Sequence, residues 1–181
     1  MNKNLKLVRE FHDAFSFPQA EQGENAQLSE MAIILHQALL MEEGSELFKA
    51  IKAGDMVDIL VGMINLSYSA LSAIAAEGSD VRDRPVSWRH DGFVISLMRL
   101  FSDKINNCAS GNPDNYAEVY CLCVYLSRSF INADFDKAFR MVHDSKMFRL
   151  DKSCKLTDEN AEEIPTSKFF KTPDLSDCLY E

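Results

Sequence analysis

The stretch Met41-Glu42-Glu43-Gly44-Ser45-Glu46-Leu47-Phe48-Lys49-Ala50-Ile51-Lys52-Ala53-Gly54-Asp55-Met56-Val57-Asp58 decides the fold. It holds a cluster of carboxylates, then a Gly-Asp break, then the start of a second apolar run. On a helical wheel at about 100° per residue, Met31, Leu35 and Leu39 form one stripe. Glu42 and Glu46 continue that stripe, and Glu43 sits just beside it. Ile33, Leu40, Leu47 and Ile51 make an adjoining apolar face. The acids are therefore expected to point into a helical bundle. Burying carboxylates without partners is costly, and acids this close repel one another. A hard divalent cation with oxygen ligands, Mg²⁺ or Mn²⁺, relieves both costs. The ordinary alternative for such a run is a solvated acidic face.

The segment after the break carries a matching feature. Met56, Ile59, Leu60, Met63, Ile64, Leu66, Leu71 and Ile74 make three sides of a helix apolar. Asp58, Gly62, Asn65, Ser69 and Ser72 form one narrow polar or small stripe. Such a seam either faces a site or lets two helices pack closely, with Asn65 hydrogen-bonded across the contact. Gly54 ends the first helix and Asp55 caps the second, so the two make a tight antiparallel hairpin and their seams can face each other.

Working outward, Asn4–Phe15 reads as an amphipathic helix with Leu5, Val8, Phe11 and Phe15 on one face, stopped by Pro18. Residues 19–27 form a polar linker, and Ser29 is placed to cap the acidic helix. Residues 79–88 form a charged loop. Arg89–Ile105 is expected as a fourth helix with Phe93, Leu97, Leu100 and Phe101 inward. A loop rich in Asn, Ser and Gly spans 106–115. Tyr116–Ile131 and Asp134–Met147 complete five to six helices, and no β signal has weight. The expectation is an all-α helical bundle over residues 1–150 with a polar C-terminal tail, 151–181, whose apolar patch is Phe169-Phe170.

Composition narrows the function classes. A chain of 181 residues suits one domain with a good core. The net charge of −9 disfavours nucleic acid or an anionic membrane as main partner. The longest apolar run, Ile59–Ala76, is interrupted by Asn65 and three serines and reads as too short to span a bilayer. No secretory signal is visible. Five cysteines (Cys108, Cys121, Cys123, Cys154 and Cys178) lack zinc-type spacing, so they read as reduced thiols of a cytoplasmic protein.

The acidic stretch from Met41 to Asp58 resembles the all-α nucleoside triphosphate pyrophosphohydrolases, the superfamily of MazG proteins, dimeric dUTPases and phosphoribosyl-ATP pyrophosphohydrolases. Two further segments fit. Val8-Arg9-Glu10-Phe11-His12-Asp13-Ala14-Phe15 is similar to the family's opening helix. Phe139-Arg140-Met141-Val142-His143-Asp144-Ser145-Lys146-Met147-Phe148-Arg149-Leu150 is similar to its closing segment. The first Glu-x-x-Glu motif is complete in Glu43 and Glu46, with Glu42 as an extra acid. The second, Glu-x-x-Asp in the family, reads Gly62-Met63-Ile64-Asn65 here. Asp58 could substitute from one turn earlier, Asp55–Asp58 could itself be the motif, or Glu118 on the fifth helix could supply the acid. Lys146 stands where the family has Asn, and Arg149 where it has Lys.

The resemblance implies cleavage of a nucleoside triphosphate to monophosphate and pyrophosphate with Mg²⁺ or Mn²⁺. It assigns Glu42, Glu43 and Glu46 to catalysis, and Glu43, Glu46, Asp58 and Asn65 to the metal. His12, Lys146 and Arg149 are the candidate substrate contacts. A lone helical histidine is more often structural, and a lone Lys49 beside the acids more often solvated. The resemblance also implies a homodimer or homotetramer. The rival expectation is a catalytically degenerate relative, a nucleotide-binding or scaffold protein whose second motif has decayed.

Overall fold

The computed structural model describes residues 1–148 and 171–180. Six α-helices follow in order: α1 (Lys3–Phe15), α2 (Glu30–Ala53), α3 (Met56–Glu77), α4 (Val94–Asn107), α5 (Pro113–Ser129) and α6 (Phe135–Phe148). Short 3-10 turns cover Cys108–Ser110 and Ser176–Cys178. Among the described residues there is no strand, only an isolated antiparallel bridge between Ala133 and Leu179. The all-α bundle expected from the sequence is the fold.

The caps explain the boundaries. Asn2 accepts from Asn4 and Leu5 N–H to start α1, which closes at Ser16 in the left-handed region. The Ser29 hydroxyl accepts from Ala32 N–H. Gly54 takes φ 75° at the end of α2, where a side chain would be strained. The Asp55 carboxylate then accepts from Val57 and Asp58 N–H, so α3 begins at once and folds back along α2.

α3 is the central element. It packs against α1, α2, α5 and α6, and 16 of its 22 residues are buried. α4 covers the flank of α2 and α5. By length and composition α3 is apolar enough to cross a membrane, contrary to the short run read from the sequence. Its neighbours bury 83% of its most apolar window, so the composition is that of a core helix ringed by others.

Two expectations need correction. The fourth helix begins at Val94, not Arg89, because Gly92 has φ 89° and Asp91 accepts hydrogen bonds from Phe93 N–H and Ser96 O–H just ahead of it. Phe93 consequently points outward, 65% exposed, while Leu97 and Phe101 are buried. Of the three clustered acids on α2, only Glu43 is buried; Glu42 and Glu46 are half-buried. The buried arc runs through His36, Leu39, Leu40, Glu43, Leu47 and Ala50; of the stripe Met31, Leu35 and Leu39 only Leu39 is buried, and Met31 is exposed. Of the tail, residues 171–180 dock on the bundle: Leu175 and Cys178 are buried, and Asp134 N–H donates to the Cys178 carbonyl. Phe169 and Phe170 lie outside the described residues.

Candidate active site

The polar seams of α2 and α3 do meet. An ideal Cβ on Gly62 would lie 3.0 Å from both Cα and Cδ1 of Leu47. That contact is the crossing point of the hairpin, and it sets the register. Running antiparallel from it, Asn65 moves toward the level of Glu43, and Ser72 toward His36. Gly62 permits the close packing that the sequence offered as one reading of the stripe, and Ser72 meets the buried His12 ring.

The inner end of the seam is built from Glu43, Asn65, Tyr68, His143 and Lys146, all buried. Lys146 comes from α6 and is only 4% exposed. Its Nζ lies 4.9 Å from the centre of the Tyr68 ring and 6.0 Å from that of Phe11, a geometry in which aromatic faces attract a cation. Burial pushes Lys146 down to about 8, while the Glu43 carboxylate pulls the other way and favours the ammonium. The Tyr68 hydroxyl lies 3.0 Å from His143 Nδ1, and Nε2 of that ring is 3.8 Å from a Glu10 carboxylate oxygen. Burial lowers the His143 pKa, so the neutral ring is favoured. With its proton on Nε2, toward Glu10, Nδ1 accepts from Tyr68. Asn65 and Lys146 line a crevice of about 10 Å³, space for about one water, closed by Ser145 and Lys171–Pro173.

His12 is placed elsewhere. It is fully buried, with Nδ1 3.3 Å from the Pro18 carbonyl and Nε2 3.2 Å from the Ser72 hydroxyl. Burial holds it down to about 4, and His36 behaves alike. His12 therefore ties α1 to α3 rather than facing the acids. Lys49 is solvent-exposed and pairs with Glu46 at 2.8 Å. Arg149 lies outside the described residues. Glu118 makes an ion pair with Lys104 of α4 at 2.7 Å, so the fifth helix does not supply an acid to this seam.

The four oxygen donors expected to ligate Mg²⁺ or Mn²⁺ do not converge. Asp58 is exposed at the start of α3. Asn65 lies seven residues further on, roughly 10 Å along the axis at about 1.5 Å per residue. Ligand bonds to these ions are only about 2.0–2.6 Å long, so the two cannot share one. Gly62 offers no side chain, and Leu47 fills the space a carboxylate would need. Among the described residues, no group of three or more His, Cys, Asp or Glu side chains could hold a metal ion. The half-buried Glu42 and Glu46, one turn apart, remain together at the rim.

Sequence reasoning missed the aromatic seat of Lys146 and the contacts of Tyr68 and Glu10 with His143. One signal was available: His143 and Lys146 are spaced i, i+3, so both side chains reach one side of α6.

Residues 8–84 match the profile of the phosphoribosyl-ATP pyrophosphohydrolase family, which belongs to the all-α NTP pyrophosphohydrolase superfamily. The matched segment spans α1, α2 and α3, the elements that carry Glu42, Glu43, Glu46, Asp58 and Asn65. No curated protein and no solved structure matches the chain.

Proposed function

We propose, from the membership of residues 8–84 in the all-α NTP pyrophosphohydrolase superfamily, that this protein hydrolyses a nucleoside triphosphate between its α- and β-phosphates. The family is one of hydrolases acting on pyrophosphate bonds; the triphosphate substrate is our reading. The observation that carries it is the buried Glu43, whose carboxylate favours the charged form of the buried Lys146, with Glu42 and Glu46 half-buried on the same helix. A cation and several carboxylates at one place suit a polyphosphate, whose oxygens need positive charge and whose attacking water needs a base. Lys146 is too enclosed to meet a triphosphate directly, and at the mouth of the small crevice the exposed Lys171 would contact phosphate oxygens. Mg²⁺ or Mn²⁺ belongs to this proposal as the ion that accompanies the triphosphate, with Glu42 and Glu46 as the carboxylates nearest solvent.

The test is pyrophosphate release from a panel of canonical and modified triphosphates, dUTP and phosphoribosyl-ATP included, with Mg²⁺ or Mn²⁺. Release that falls by two orders of magnitude in Glu46→Gln supports the reading. Absence of release from every substrate sinks it.

A second reading, a nucleotide-binding relative without turnover, is favoured by the Gly62–Leu47 contact, which leaves the second motif without its carboxylate. It predicts saturable nucleotide binding with no product. We further propose a homodimer or homotetramer, since Met31, Ile34 and Met41 on α2 and Val94 and Ile95 on α4 are exposed apolar side chains. A strict monomer in light scattering would remove that part. The free thiols of Cys108, Cys121, Cys123 and Cys178 suit a reducing compartment such as the cytoplasm.

A further inference from the structure

The chain leaving the C-terminal end of α3 forms one wall of a second concavity. It has a volume of about 500 Å³ and is bordered by the start of α1, the 81–86 stretch, α5 and Asp136 of α6. No residue of α2 lines it. The volume suits a small organic molecule. Val81, Val86 and Val124, partly buried against the core, make its wall apolar, and Tyr125 stands in it 39% exposed.

Charge sets this cavity apart. The protein carries a net charge of −9, yet Lys3, Arg84 and Arg128 line the cavity against two carboxylates, Asp83 and Asp136. One oxygen of Asp136 is shared by Lys3 Nζ and Arg128, at 2.7 Å each. Arg84 in turn shares Asp114 with Arg82, which lies 3.4 Å from it. Each of these carboxylates therefore serves two cations. The Arg84 Nε is buried and has no hydrogen-bond partner among the described residues. A buried donor left unpaired is costly. The lining thus lacks a negative charge and an acceptor at the same place.

We propose that this cavity is a ligand site for a small organic anion, an apolar or aromatic body bearing one carboxylate or sulfonate group, with the acid group at Arg84 and the body against the valine wall. An acid oxygen accepts from the Arg84 Nε–H and supplies the missing charge, a charge-assisted hydrogen bond. The Tyr125 ring offers the body an aromatic contact. A triphosphate does not suit the site, because its several negative charges would meet Asp83 and Asp136 after the single surplus positive charge had been used. The site differs from the acidic hairpin both in its residues and in its ligand, and the inference stands whether or not a nucleotide is turned over.

The test uses anilinonaphthalene sulfonate, an aromatic monoanion, titrated by fluorescence into the full chain, with uncharged phenylnaphthylamine as its counterpart. The sulfonate should bind saturably, and Arg84→Gln should weaken it at least about tenfold while leaving the uncharged probe within about twofold. Cys121 lines the cavity and is half-buried, so it reports the place of binding. Saturating sulfonate should slow its alkylation by iodoacetamide at least about threefold, read on the Cys121 peptide by mass spectrometry. Circular dichroism checks folding, and if Arg84→Gln does not fold, Arg128→Gln takes its place; should neither fold, protection of Cys121 decides. Absence of saturable binding up to about 1 mM overturns the proposal. So does binding that a folded arginine variant weakens less than tenfold, equal weakening of the uncharged probe, or protection of Cys121 below threefold.

Discussion

Acidification offers a sharp test of the His12 environment. His12 is fully buried, and its pKa is held down from 6.5 to about 4, chiefly by desolvation and further by Arg9. Asp13 and the Pro18 carbonyl act in the opposite sense but do not prevail. The unfolded chain takes up this proton near pH 6.5, and the folded chain only near 4. Between those values the unfolded state binds more protons, so stability is present above pH 6.5 and is lost as pH falls toward 4. At pH 5, about 1.5 units below the unfolded value, the loss is about 2 kcal/mol, at 1.36 kcal/mol per unit. His36, also lowered to about 4 by burial, adds a loss of the same sign. Glu77 opposes both. Burial raises it to about 7, so the folded state gains stability as pH falls from 7 toward 4.5. The wild-type profile is therefore a sum, and the informative quantity is a difference. Urea unfolding of the wild type and of His12→Gln should be compared at pH 7.5 and pH 5. The variant carries a fixed packing cost at both pH values, which subtracts out. The wild type should lose about 2 kcal/mol more than the variant on acidification. Equal losses in the two proteins would refute the desolvation argument for His12.

Three further outcomes follow from the packing. Gly62→Ala should lower stability by about 1–3 kcal/mol in thermal or urea unfolding, despite alanine's better helix propensity, because its methyl group meets Leu47; a more stable variant would contradict the close crossing. Gly78→Ala should cost more than Gly54→Ala: both glycines have positive φ, 73° and 75°, but only at Gly78 would the added methyl run into the Glu21 carbonyl, while nothing lies near Gly54. Equal unfolding midpoints for the two would count against the packing of the 19–27 linker on the end of α3. Glu118→Gln should leave pyrophosphate release within about twofold of the wild type, since Glu118 pairs with Lys104 away from the seam; loss of activity comparable to that of Glu46→Gln would return the fifth helix to the site.

The hairpin and its caps were legible in the sequence because each rests on a local signal. Ser29, Gly54 and Asp55 act within one turn of their own positions, and the structure uses all three as caps. The start of α4 was not legible by apolar spacing, which counted Phe93 as inward. The backbone turn at Gly92 and the Asp91 side chain outrank periodicity there. On the acidic helix, the wheel correctly found that acids and apolar residues share a side. It could not say which acid faces inward, because apolar residues cover most of that helix's circumference. The deciding fact is tertiary: where α3 packs on α2, with Gly62 against Leu47. His12 shows the same limit. Its place in the opening motif suggested a substrate contact, yet its partners, Ser72 and Pro18, lie on other elements.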